Sequence, residues 1–359
     1  MEVMASSQEL VTTFIGLEMS SIATYILASY RRNAPRSNES AMKYFLLGSF
    51  ATAFFLYGVA LVYGATGTTL LAQMDRAFAN PTLLKLGLGM IFIGLAFKVA
   101  AAPFQLWTPD VYEGAPTPVT ALLSAGPKAA AFAVLLRILV MVVAASQLWF
   151  WALWIVAALT MFAGNLAALV QSSVKRMLAY SSIAHAGYIL VAFAARNEIG
   201  TAAVLFYLVA YALMKLGAFT LIAHLGGEGE RRLEINDYAG LGEQQPVAAA
   251  CLSLYLLSLL GLPVTAGFLG KLYIFNAALK SHLVWLAVLL AVNSVIAAYY
   301  YLRIIVVMYM RPAQQVWAPL PIPTAVGLVL LFTSAGTLYL GLFPGIVMNF
   351  AVQSALLLR

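Results

Sequence analysis

This sequence predicts an all-α polytopic membrane protein of about ten spanning helices, and three observations predict it. Hydrophobic residues fill 63% of its 359 positions and charged residues 9%, with a mean hydropathy of +0.92. A soluble domain carries roughly 45–50% apolar and about 25% charged residues. Apolar runs of about the 20 residues that cross a bilayer recur along the whole chain. The connections between them are mostly short, which makes one helical domain. These observations exclude an ordinary soluble enzyme, a disordered tail and a nucleic-acid binder. The single cysteine, Cys251, excludes a disulfide framework, a thiolate metal cluster and an iron–sulfur site in this chain.

The first run, 9–30, holds Glu18, and the second, 41–64, opens on Lys43. The third, 84–106, carries Lys98 and Pro103, and the fourth, 117–142, carries Pro127-Lys128. Runs 148–170, 178–195 with His185, and 200–224 with Lys215 follow. The eighth, 246–272, contains Gly261-Leu262-Pro263 and Lys271, and runs 280–309 and 321–343 complete the set. The longest connections are 65–83 and 225–245, the latter with the polar stretch Gly226-Gly227-Glu228-Gly229-Glu230-Arg231-Arg232. Met1 leads within a few residues into the first run, with no signal-peptide pattern. Arg31, Arg32, Arg36, Lys175, Arg176, Arg231, Arg232 and Arg311 fall in alternate loops. Arg76, Lys85, Arg196, Lys280 and Arg359 fall in the others, so the first set is expected in the cytoplasm and both termini outside.

Charge inside the runs is the functional signal. Glu18 is the one acid well inside an apolar segment, whereas Lys98, Lys128, Lys215 and Lys271 all lie within predicted spans. Each such residue costs about 2.5–3.5 kcal/mol at mid-membrane on insertion scales, so a functional or water-linked role is the default. Two plainer readings stand beside it: Lys43 snorkels to the interface, and Glu18 with a lysine forms one structural ion pair. Prolines at 103, 127 and 263 accompany the lysines and predict either plain proline kinks or broken helices, the latter a transporter device. Pro118-Val119-Thr120-Ala121 recurs as Pro263-Val264-Thr265-Ala266, each followed by a lysine. Together with the Glu18–Lys98 and His185–Lys271 spacings this suggests inverted five-helix repeats. Residues 1–145 would form a first, incomplete repeat, 146–310 a second, and 311–359 a C-terminal helix. His185 titrates near neutral pH when unperturbed and suits a proton bridge, or else a plain interhelical hydrogen bond. Asp110 and Glu113, between broken helices, either cap the next helix or contact a neighbour.

The runs Phe97-Lys98-Val99-Ala100-Ala101-Ala102-Pro103-Phe104-Gln105-Leu106-Trp107-Thr108-Pro109-Asp110-Val111-Tyr112-Glu113-Gly114-Ala115-Pro116, Pro127-Lys128, Arg176-Met177-Leu178-Ala179-Tyr180-Ser181-Ser182-Ile183-Ala184-His185 and Gly261-Leu262-Pro263 through Lys271 resemble the antiporter-like membrane subunits of respiratory complex I. Lysine rather than glutamate at 271 is closer to the N-type subunit than to the M-type. The resemblance implies a proton path of Glu18, paired with Lys98, then Lys128, His185 and Lys271, with Lys43 grouped nearby and Lys215 in a place often uncharged. It implies no cofactor in this chain, with NADH, FMN, iron–sulfur clusters and quinone handled elsewhere in the complex. The expected partners are the other membrane subunits and the bilayer, without nucleic acid, and the expected location is a bacterial inner membrane. Family members have about fourteen helices, so this chain is expected to begin just before the fifth. A subunit of a multi-part cation/proton antiporter or membrane-bound hydrogenase, and a non-pumping fragment, are the alternative readings.

Overall fold

The computed structural model describes residues 1–76, 81–142, 147–227, 229–313 and 322–357. Glu228 and Arg359 therefore lie outside the described residues, as does the side chain of Arg76. The elements are helices α1 (Glu2–Ser6), α2 (Leu10–Ala28), α3 (Pro35–Thr66), α4 (Pro81–Val99), α5 (Trp107–Gly114), α6 (Thr117–Val142), α7 (Gln147–Leu169) and α8 (Val174–Ala195). They continue with α9 (Glu198–Gly226), α10 (Leu241–Gln244), α11 (Pro246–Leu260), α12 (Ala266–Lys280), α13 (Val284–Met310), α14 (Thr324–Leu342) and α15 (Gly345–Leu357). Among the described residues nine helices are long and apolar enough to cross a membrane. The expected eighth crossing is supplied by α11 and α12 in succession.

Local chemistry sets the ends. Pro35 and Pro246 occupy first-turn positions, where the missing N–H is not needed. Ser173 and Asn197 cap α8 and α9 by accepting from the N–H groups of Arg176 and Gly200. The interruption after α11 begins at Gly261, whose φ of 94° is open to glycine without steric cost.

Interrupted backbone at membrane depth must find its hydrogen bonds inside the protein. Between α4 and α5, Trp107 Nε1 donates to the Phe97 carbonyl at 2.9 Å, and the Ala102 N–H donates to Thr160 Oγ1 at 2.9 Å. Between α11 and α12, the Leu262 N–H donates to the Leu257 carbonyl and the Gly267 N–H to Ser258 Oγ.

Several expectations are corrected here. Among the described residues two of the three proline sites interrupt a helix, whereas Pro127 lies inside the unbroken helix α6. One missing N–H leaves one carbonyl free, and the buried neighbours Ala130 and Ala131 hold the helix in place on its next turn. The 84–106 run stops being helical at Val99, before Pro103, because Ala100 turns to φ 62°. Helix α3 starts at Pro35 rather than 41, α12 runs on to Lys280 rather than ending at 272, and α13 begins at Val284 rather than 280. The Pro-Val-Thr-Ala copies occupy unlike backbone: Pro118 is in the first turn of α6, whereas Pro263 lies in an interruption. Helix α15, which packs against α9, was not foreseen.

Helix α8 is the hub. All of its residues except Arg176 and Tyr180 are buried. Small residues let α7 approach it: a methyl group at Gly187 would collide with Met161 and one at Gly164 with the backbone of Ala184. By contrast α2 turns Ile15, Met19, Ile22 and Ile26 outward as one exposed stripe, suited to lipid or a neighbouring apolar subunit.

Candidate functional site

Lys98, Lys128, Lys215 and Lys271 are 7%, 1%, 0% and 7% exposed, so none of them reaches solvent by snorkelling. Among the described residues none of the four is in a salt bridge. Each is instead held by neutral oxygens and aromatic faces.

Lys98, in the last turn of α4, donates to Ser21 Oγ at 2.7 Å and lies 3.4 Å from the Tyr25 hydroxyl. Its Nζ sits over the rings of Tyr25 and Tyr44 at 5.3 and 5.5 Å, close enough for cation–π attraction. Glu18, Ser21 and Tyr25 are three and four residues apart on α2 and therefore share a face. Glu18 Oε1 accepts from Thr52 Oγ1 at 2.7 Å. The expected Glu18–Lys98 ion pair is thus replaced by two separate hydroxyl contacts, about one helical turn apart along α2.

Lys128 on α6 donates to the Ser182 carbonyl at 2.9 Å. Lys215 on α9 donates to the Leu178 carbonyl at 2.8 Å and to Ser181 Oγ at 3.0 Å. From there the contacts are continuous. The Ser181 hydroxyl meets the Tyr301 hydroxyl at 2.5 Å, which meets His185 Nε2 at 3.1 Å. His185 Nδ1 meets the Tyr207 hydroxyl at 2.7 Å. Beside this run the Ser182 and Tyr211 hydroxyls meet at 2.6 Å, and Lys128 and Lys215 both face the Tyr211 ring.

Lys271, in the second turn of α12, donates to the Leu260 carbonyl at 2.8 Å, at the end of α11. The interruption therefore supplies the lysine's acceptor. Its Nζ also sits 4.7 Å from the centre of the Tyr188 ring, which packs edge-on against His185.

The structure thus gathers Lys128, Lys215, His185 and Lys271 around α8 and places Lys98 and Glu18 in a second group on α2 and α4. Lys215, the less secure of the lysines in the sequence, is tightly built into the first group. Lys43 belongs to neither: it is 44% exposed at its side chain and pairs with Glu39 and Asp110, each at 2.8 Å. Sequence reasoning missed Ser181, Ser182, Tyr207 and Tyr301. A run of hydroxyls at the spacing of α8 next to His185 was the available signal.

The charged end of the molecule is a separate construction. Arg176 joins Asp110 at 2.9 Å and Glu113 at 2.7 Å, so these two acids contact a neighbour. Glu230 takes Lys175 at 2.8 Å, Arg31 at 3.3 Å and the Thr117 N–H at 2.6 Å. Burial pushes the Asp110 and Glu230 carboxyls up, but their cationic partners outweigh it and hold both below the usual carboxylate range. A polar cavity of about 240 Å³ opens here between Arg36, Lys43, Asp110 and Arg176. Arg31, Arg36, Lys175 and Arg176 of the expected cytoplasmic set share this end, while Asn197 and Ser281 bond to each other next to Arg196 and Lys280 of the other set.

Residues 7–297 match the family described as NADH:quinone oxidoreductase/Mrp antiporter, TM. The chain is 54% identical over 358 residues to NADH-quinone oxidoreductase subunit N 1 of Solibacter usitatus, covering 98% of this chain and 74% of that one. A chain of respiratory complex I from Thermus thermophilus superposes with a TM-score of 0.85 at 40% identity, covering 97% of this chain and 76% of that one. A chain of an archaeal membrane-bound sulfane sulfur reductase gives 0.90 at 32% identity, covering 98% and 72%. Sequence and fold agree, and the chain belongs to the NADH:quinone oxidoreductase/Mrp antiporter membrane family, in its subunit N branch.

Proposed function

We propose that protons cross this chain along a buried line running from Glu18 through Lys98, Lys128 and His185 to Lys271, with Lys215 as a further member. The chain is an antiporter-like, proton-pumping subunit of the membrane arm of NADH-quinone oxidoreductase, working beside other membrane subunits. Redox chemistry in other subunits, where NADH, FMN, iron–sulfur clusters and quinone act, drives charge rearrangement along the line. A bacterial inner membrane is the fitting location for a multi-pass chain with bacterial relatives of this kind.

The observation that carries the reading is the unbroken sequence of contacts Lys215–Ser181–Tyr301–His185–Tyr207 in the buried centre. Hydroxyls both donate and accept, so a proton arriving at one side of such a run can be matched by one leaving at the other. Interruptions fall in the third and eighth crossings, five apart, which supports the two-repeat division at 1–145 and 146–310.

The test is Lys98→Ala in the assembled complex, reconstituted into vesicles with NADH and quinone supplied. Fewer protons per NADH oxidised are expected; an unchanged ratio would contradict the assigned role.

A further inference from the structure

Among the described residues no hydrogen bond joins the two groups of buried lysines. Lys98 bonds toward α2, and Lys128 and Lys215 bond toward α8. A proton line needs a carrier between them.

One side chain stands in the gap. Tyr112 on α5 is fully buried, and its hydroxyl makes no hydrogen bond of normal geometry. An unpaired buried hydroxyl costs free energy and calls for a reason, such as a catalytic role or a bound water. On one side the Tyr112 ring meets Trp107 at 6.3 Å, and Trp107 stacks at 4.5 Å on Tyr44, the ring beneath Lys98. On the other side it meets Phe219 at 6.2 Å, a ring facing Lys215. Its hydroxyl faces Ser182 and Tyr211, the pair beside Lys128.

A second observation points the same way. Among the described residues five buried side-chain atoms lack a hydrogen bond, and four belong to Gln105, Thr108, Tyr112 and Thr117. All four lie on or next to the half-helix α5. Irregular backbone flanked by unpaired polar atoms marks a hydrated site.

We propose that the Tyr112 hydroxyl is the proton link between the Lys98 group and the Lys128–Lys215 group. The inference rests on the proton-path reading above. A proton leaves the Lys98 ammonium and reaches a lone pair of the Tyr112 oxygen through intervening water. The hydroxyl's own proton moves on past Ser182 and Tyr211 to the Lys128 amine. Lys98 ends neutral, Lys128 ends as an ammonium, and Tyr112 ends as it began. Only N–H and O–H bonds are exchanged and no electron moves.

The experiment uses the whole complex in vesicles, with NADH and a soluble quinone supplied and a pH-sensitive dye inside. Tyr112→Phe keeps the ring and removes the oxygen. The complex is expected to assemble in normal amount, because the ring and its packing are kept, while proton pumping slows roughly tenfold or more. Tyr112→His, which restores a group able to accept and donate a proton, is expected to recover part of the rate. A packing role alone gives the opposite order, with Phe active and His impaired. Normal pumping in Tyr112→Phe, or loss of the complex from the membrane in that variant, overturns the proposal. Lys98→Ala is measured alongside. Normal pumping in Lys98→Ala as well would defeat the underlying path, whereas normal pumping in Tyr112→Phe alone would defeat only this link.

Discussion

A lysine held by a hydroxyl, a main-chain carbonyl or an aromatic face rather than by a salt bridge recurs four times among the described residues. Lys98, Lys128, Lys215 and Lys271 were legible in the sequence because a charge inside an apolar run is costly whatever surrounds it. Their partners were not, because Ser, Thr and Tyr are ordinary in membrane helices and carry no charge to betray them. The Glu18–Lys98 pair could not be settled for a related reason: the helical spacing puts Glu18 and Ser21 on the same face, and only packing decides which one meets the amine. Tyr301→Phe tests the run directly. It removes one oxygen that serves both Ser181 and His185, and net hydrogen-bond values of about 1 kcal/mol each allow the fold to survive. Assembled complex with slowed pumping is expected, checked by blue native gels and vesicle acidification. At the charged end the sign of the pH dependence follows from Asp110 and Glu230. Their carboxyls titrate lower in the folded protein than the roughly 3.9 and 4.3 of free Asp and Glu. The stabilisation is therefore complete above those values and lost as pH falls through the folded ones. Melting temperatures of the detergent-solubilised complex should drop on acidification below about pH 4, and Asp110→Asn should flatten that limb.

Helix number and approximate position were readable from apolar runs, while the breaks were readable only in part. Gly261-Leu262-Pro263 announced its interruption because glycine and proline two residues apart both disfavour a continuing helix, and Gly261 turns to φ 94° there. Pro127 leaves its helix unbroken, because a proline removes one hydrogen bond but need not end a helix held by its neighbours. Helix α15 escaped notice because thirteen residues fall short of a membrane crossing. Two glycine substitutions test the elements. Gly261→Ala would place a residue with a Cβ in the left-handed region, at roughly 1–2 kcal/mol, and set that carbon 3.2 Å from Lys271 Cδ. Lower thermal stability together with impaired pumping is expected, since the same turn presents the Leu260 carbonyl to Lys271. Gly187→Val should act on packing instead. The added carbons meet Met161 on α7, and overpacking of about 1–3 kcal/mol should lower the amount of assembled complex in membranes.

Over the whole molecule the parts are layered. An apolar exterior such as the α2 stripe suits lipid or other subunits, a charged end gathers Arg31, Lys175 and Arg176 with Asp110, Glu113 and Glu230, and an inner polar line runs along α8. The low overall charge made the first layer obvious and the basic loops suggested the second. The third depends on contacts between residues more than 100 positions apart, such as Ser181 with Tyr301, which no local pattern reveals. The central claim is that protons pass through this buried line, and Lys128 occupies its middle. The most direct measurement is the number of protons translocated per NADH oxidised by vesicles carrying the assembled complex with Lys128→Met, a substitution that keeps an unbranched side chain one atom shorter and removes the amine. A ratio below that of the unsubstituted complex, at equal complex content, is the predicted result, and an unchanged ratio would contradict the account.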